Sequence, residues 1–95
     1  MPNRNYDRGR AAEYRARTTL EAAGYTVVRS SGSRGPADLV AWNAQGFRLV
    51  QVKRGRDGIS PLDRETFAQL PVPPGTLKEV WRYREARKPP IVEVL

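Results

Sequence analysis

Eight residues in the middle of the chain, Gly46 to Lys53 (GFRLVQVK), set the strongest limit on what it can fold into. Successive side chains of a strand point to opposite faces, so Phe47 and Leu49 occupy one side and Val50 and Val52 the other. A strand that is apolar on both faces is a central strand and needs a covering layer above and below it. The flanking segments can supply those layers. Asp7 can cap a helix running to about Ala23, where Gly24 offers the left-handed stop. Ala12, Ala16, Thr19, Leu20 and Ala23 share one stripe of that helix, with Glu13 at its rim. Pro61 to Leu70 can form a second helix, ended by Pro71 to Gly75 (PVPPG). Tyr25 to Ser30 (YTVVRS), Ala37 to Trp42 (ADLVAW), Leu77 to Arg84 (LKEVWRYR) and Ile91 to Leu95 read as the remaining strands, with Asn43 to Gln45 as a hairpin loop. The order is α-β-β-β-α-β-β, and a sheet with helices on both faces is the economical solution. At 95 residues the chain is expected to form one domain, residues 7–95, behind a flexible arm at residues 1–6. Its core is thin, and association into a homodimer is a common way to hide leftover apolar surface.

The composition narrows the chemistry. There is no cysteine and no histidine, which removes disulfides, thiolate or imidazole metal sites, Cys nucleophiles and the commonest general base. Any metal must be a hard cation held by oxygen atoms. Seventeen Lys and Arg face ten Asp and Glu, for a net charge of +7, and lysine occurs only at Lys53, Lys78 and Lys88. An arginine-dominated basic balance suits phosphate and hence nucleic acid, either as an enzyme or as a ribosomal-type basic protein. No apolar run approaches the roughly 18 to 20 residues needed to cross a bilayer, and MPNRNYDRGR lacks the apolar core of a signal peptide. The expected setting is soluble and intracellular, with no membrane partner.

Hydrolysis of a phosphodiester needs a cation to neutralise the phosphate, a source of hydroxide and a positive group to meet the charge that develops. Asp38, Gln51 and Lys53 can supply these. Gln51 and Lys53 lie two apart and share a face, and pairing of the two strands as a hairpin brings Asp38 opposite the end of the third strand. Taken singly, Lys53 reads as a solvated strand end and Asp38 as a turn acid after Gly35 and Pro36. Glu13 alone reads as an exposed pair with Arg17, but a carboxylate leaning toward the core is better explained by a metal that it helps to hold.

The stretch Arg8 to Lys53 resembles the PD-(D/E)xK nucleases, and within them the archaeal-type Holliday junction resolvases. The likeness runs through RGRAAEYRA around Glu13, GYTVVRSSGS from Gly24, PADLVAW from Pro36 and LVQVKRG from Leu49. It implies a restriction-endonuclease-like αβα fold around a central mixed five-stranded sheet. It also implies a magnesium-dependent endonuclease, with manganese able to substitute, in which Glu13, Asp38 and Gln51 hold the metal beside Lys53. The backbone carbonyl of Val52 joins the ligands, and Ser31 offers a phosphate-facing hydroxyl. Arg8, Arg10, Arg17, Arg29, Ser33, Arg34, Arg54 and Arg56 would grip DNA, with Arg48 on the same rim. The implied reaction is paired nicking of four-way junctions by a homodimer. Gln51 stands where that family usually has glutamate, and Tyr14 where arginine is expected. Related readings are a nuclease for flaps or nicks, a branched-DNA-binding protein without catalysis, and an RNA-associated basic protein. Trp42, Trp81 and Tyr83 are expected in the core or at a dimer face, with stacking on unpaired bases as the lesser alternative.

Overall fold

The computed structural model describes residues 4–30, 37–55 and 58–95, with the side chains of residues 4–9 outside that description. Its elements are α1 (Arg4–Ala22), β1 (Thr26–Arg29), β2 (Leu39–Asn43), β3 (Gly46–Arg54), α2 (Pro61–Gln69), β4 (Leu77–Tyr83) and β5 (Ile91–Val94). The five strands form one sheet in the order β1-β2-β3-β4-β5. The β3 and β4 strands run parallel and the other pairs antiparallel, so the sheet is mixed. As its sequence requires, β3 is central. Antiparallel β2 and β3 need only a two-residue connection, and the register closes at Asn43 against Gly46. Parallel β3 and β4 need a crossover, which contains α2.

Each face of the sheet has its own apolar cluster. Ala12, Ala16 and Leu20 of α1 pack against Val27, Leu39, Ala41, Val50, Trp81 and Tyr83. On the other side Phe67 of α2 joins Ala37, Ile59 and Val80, with Leu49 packed against them. Trp81 and Tyr83 are therefore core residues, whereas Trp42 lies half-buried with its ring 6.3 Å from that of Phe47.

Several expectations need correction. The first helix begins at Arg4, inside the stretch expected to be an arm, so Asp7 lies within the helix and does not cap it. Its buried stripe is narrower than expected: Ala12, Ala16 and Leu20 are buried, but Thr19 and Ala23 are exposed, because a helix crossing a twisted sheet is covered along only part of its circumference. Arg48 does not belong to a DNA-gripping rim. Its Nη1 lies 3.4 Å from both carboxylate oxygens of Glu79, which is only 3% exposed and also accepts a hydrogen bond from Trp81 Nε1 at 3.1 Å. A buried carboxylate requires such partners, and the Arg48 guanidinium, 5.0 Å from the Tyr25 ring centroid, is held in place to serve it.

The second helix opens on Ser60, whose hydroxyl accepts from Asp63 N at 3.1 Å, with Pro61 in the first turn. At its other end Lys78 Nζ donates to Ala68 O at 2.6 Å, a cation on the negative end of the helix dipole. Phe67 is the only residue of α2 that is fully withdrawn from water. Phe67→Ala should therefore cost about 3 to 5 kcal/mol, read as a lower urea midpoint with an unchanged slope.

Candidate functional site

Asp38 immediately precedes β2, where three bonds tie it to both neighbouring strands. Its N–H donates to Val50 O at 2.9 Å, and its carbonyl accepts from Ser30 N at 2.8 Å. Its carboxylate Oδ2 accepts from Val52 N at 2.7 Å. The side chain thus replaces a backbone carbonyl in the ladder and fixes the carboxylate at the margin of β3. Burial pushes the Asp38 carboxyl above its usual range; the Val52 hydrogen bond and the positive charges of Lys53 and Arg29 oppose this without cancelling it.

Glu13 follows Ala12 on the rim of the buried stripe of α1, with its side chain 15% exposed. Its carboxyl is also raised, first by burial and then by the negative charge of Asp38. Arg29, at the end of β1, lowers it through its charge and a hydrogen bond from Nε to Glu13 Oε2 at 3.2 Å, and Arg10 lowers it further. Helix, strand start and strand end therefore bring Glu13, Asp38 and Lys53 within electrostatic reach of one another through Asp38. Gln51 lies between Val50 and Val52, the two residues that bond Asp38. Strand alternation puts Gln51 and Lys53 on the face of Leu49, opposite α1, and Asp38 at the sheet margin is the group that feels charge from both faces.

Among the described residues no group of three or more His, Cys, Asp or Glu side chains is arranged to hold a metal ion. The oxygen atoms that the sequence offers as ligands are the Glu13 and Asp38 carboxylates, which are in electrostatic contact, and, on β3, the Gln51 amide and the Val52 carbonyl. Such oxygen donors suit magnesium or manganese. The negative charge of Asp38 raises Glu13, a repulsion that a cation beside the two carboxylates would relieve.

The basic residues expected at a DNA surface divide. Arg10, Arg17 and Arg29 line a groove of about 400 Å³ that also contains Glu13 and Tyr14. Arg54 lines a second groove, of about 340 Å³, on the opposite flank of α1 with Arg15 and Arg87. Ser31, Ser33, Arg34 and Arg56, and the side chain of Arg8, lie outside the described residues. Arg15 is engaged within the fold, donating to Lys88 O at 2.8 Å and sitting 4.6 Å from the Tyr83 ring centroid. Tyr14, in the sequence only a departure from the resolvase pattern, lines the first groove; its one local signal is an aromatic flanked by arginines four residues before and three after.

Two helices on opposite faces of a mixed five-stranded sheet make this a restriction-endonuclease-like αβα fold. Among solved structures the chain is similar to Archaeoglobus fulgidus Hjc, a Holliday junction resolvase from an archaeal hyperthermophile, with a TM-score of 0.73 and 21% sequence identity over 92% of this chain and 72% of that chain. No family model matches the sequence, and no curated protein matches it.

Both site carboxyls are held above the ordinary carboxylate value of about 4. Folding thus favours their protonated forms, and that contribution to stability is complete below the ordinary value and lost as pH rises through the raised ones. Metal-free Asp38→Asn should melt a few degrees above the wild type at neutral pH and lose the advantage in acid. Calorimetry across pH checks this; a variant less stable at neutral pH would show that the charged carboxylate is favourable there.

Proposed function

We propose that this chain is a metal-dependent, structure-selective DNA endonuclease that resolves four-way junctions by paired nicks in opposing strands. The observation that carries the reading is that Asp38, at the margin of the sheet, is in electrostatic contact with both Glu13 and Lys53. The shared fold with a Holliday junction resolvase supports it. So do the arginines of the groove beside Glu13, placed to meet a phosphate backbone.

In this reading Glu13, Asp38, the Gln51 amide and the Val52 carbonyl hold magnesium or manganese. The bound ion would supply charge neutralisation and a water molecule acidified toward hydroxide. Asp38 is kept in one orientation by the Val52 N–H, so its carboxylate needs little rearrangement to act. Lys53, at the end of β3, orients the attacking water and offsets the negative charge that accumulates on the phosphoryl oxygens. Arg29 holds Glu13 and presents the rest of its charge to the groove. Homodimerisation belongs to the same reading, since two opposed cuts need two sites. The edge strand β5 leaves Ile91, Val92 and Val94 exposed, apolar surface that a second subunit can cover. An intracellular setting and branched DNA as the partner complete the proposal.

A second reading is a branched-DNA-binding protein without catalysis, favoured by one observation: Gln51 leaves the site with two carboxylates. One gel separates the two, using labelled four-way junction, flap, linear duplex and single strand, with magnesium, manganese or chelator. Metal-dependent nicking of the junction is expected, and a wild type that binds but never cuts supports the second reading. Lys53→Ala should lower the cutting rate by about 10² to 10³ while keeping junction affinity. Gln51→Glu should lower the magnesium concentration needed for half-maximal cutting several-fold, because an anionic ligand replaces a neutral one.

A further inference from the structure

Tyr14 is 71% exposed, one of the two most exposed large hydrophobic side chains among the described residues, and it stands one position after Glu13. Scattered surface aromatics need no explanation, but this one lines the same groove as the site carboxylate. Arg10 and Arg17 precede and follow it by four and three residues, so the three side chains form one ridge along α1, cation, aromatic, cation. At about 1.5 Å of rise per residue the two arginines lie about 10 Å apart along the helix, close to three nucleotide steps of one strand. Arg29 closes the opposite wall of the groove from β1, where it pairs with Glu13, and Arg17 pairs with Glu21 at 3.6 Å, an exposed ion pair that a phosphate can replace at little cost.

We infer that Tyr14 is the residue by which the protein selects branched over continuous DNA, stacking its ring on a nucleobase left open at the branch while Arg10 and Arg17 straddle the backbone. The inference rests on the nuclease reading above and gives it a source of selectivity. In a continuous duplex both faces of every internal base are covered by neighbours, so an exposed aromatic has nothing to stack on. At a branch point the last pair of each arm can lose a neighbour, and the freed face offers the ring an apolar partner in a groove whose charge already holds the phosphates. The adjacent Glu13 sets the distance from the stacked base to the cutting site, because successive helical positions are rigidly linked. Arginine at this position would add charge, which favours every DNA alike; tyrosine adds a contact that only an unstacked base can accept.

The test measures binding in chelator, where no cutting occurs, to a synthetic four-way junction and to a linear duplex of the same arm sequence, with 2-aminopurine at the base flanking the branch. Tyr14→Ala should weaken junction binding about 5- to 150-fold, the range for loss of one base stack, and change duplex affinity less than twofold. Tyr14→Phe should bind the junction like the wild type, since the ring and not the hydroxyl makes the contact. Stacking should quench 2-aminopurine emission with the wild type and with Tyr14→Phe but not with Tyr14→Ala. Equal losses on both DNAs, no loss on either, or quenching that persists with Tyr14→Ala would each overturn the role of Tyr14 and leave the nuclease reading standing. A wild type with no preference for junction over duplex would instead overturn the junction-selective reading and this inference with it. Because the side chain is exposed, unchanged thermal melting of both variants is expected and identifies any affinity change as a binding effect.

Discussion

The bond from the Val52 N–H to the Asp38 carboxylate, 2.7 Å long, marks where the β2 and β3 ladder gives way to a side chain. The strands pair through their backbones as far as the Asp38 N–H, which donates to Val50 O; beyond it the Asp38 carboxylate takes the place of the next carbonyl. That substitution satisfies a strand N–H that would otherwise lack a partner and holds a charged group at the margin of a sheet covered on both faces. The raised pKa of Asp38 follows from the same placement, as does the influence of Asp38 on Glu13. If Asp38 were open to solvent, its charge would be screened and its influence on Glu13 would fall.

The positive charge of the chain serves two purposes that composition alone does not distinguish. Some cations hold the fold: Arg48 satisfies buried Glu79, Lys78 closes the end of α2, Arg64 pairs with Glu93, and Arg15 ties α1 to the carbonyl of Lys88. Others border the grooves on the two flanks of α1, where the surface is open to solvent. The count of seventeen basic residues therefore overstates the cations available to a phosphate backbone. The burial of Glu79 in a 95-residue domain is the reason: a carboxylate taken from water must keep a cation and a hydrogen-bond donor beside it, and Arg48 and Trp81 fill those roles.

Much of the architecture was legible in the sequence because its signals are local. The two-sided apolar pattern of Gly46 to Lys53 made β3 central, the alternation of Leu77 to Arg84 put Trp81 and Tyr83 on one face, and Gly24 adopts the positive φ expected of a helix stop. Of the site, Glu13, Asp38 and Lys53 were legible as candidates from helix rim, strand start and strand end. Arg48 was misread because its partner lies 31 residues away on the neighbouring parallel strand, beyond a crossover helix, and no periodicity reports such a pairing. The start of α1 was misplaced because Asp7 is a good cap in isolation, and a helix can extend past a favourable cap.

The sequence by itself determined the order of elements, the central place of β3, the exclusion of imidazole and thiolate chemistry, and the residue types a hard cation would need. These follow from side-chain periodicity and from which functional groups the chain contains, and both are properties of neighbours along the chain. Only the tertiary structure decided that Arg29 and not Arg17 holds Glu13, that Asp38 bonds Val52, and that Arg10, Tyr14, Arg17 and Arg29 share a groove. Those pairings join residues that are distant in sequence, and they arise from how helix and strands pack, which the local pattern constrains but does not specify.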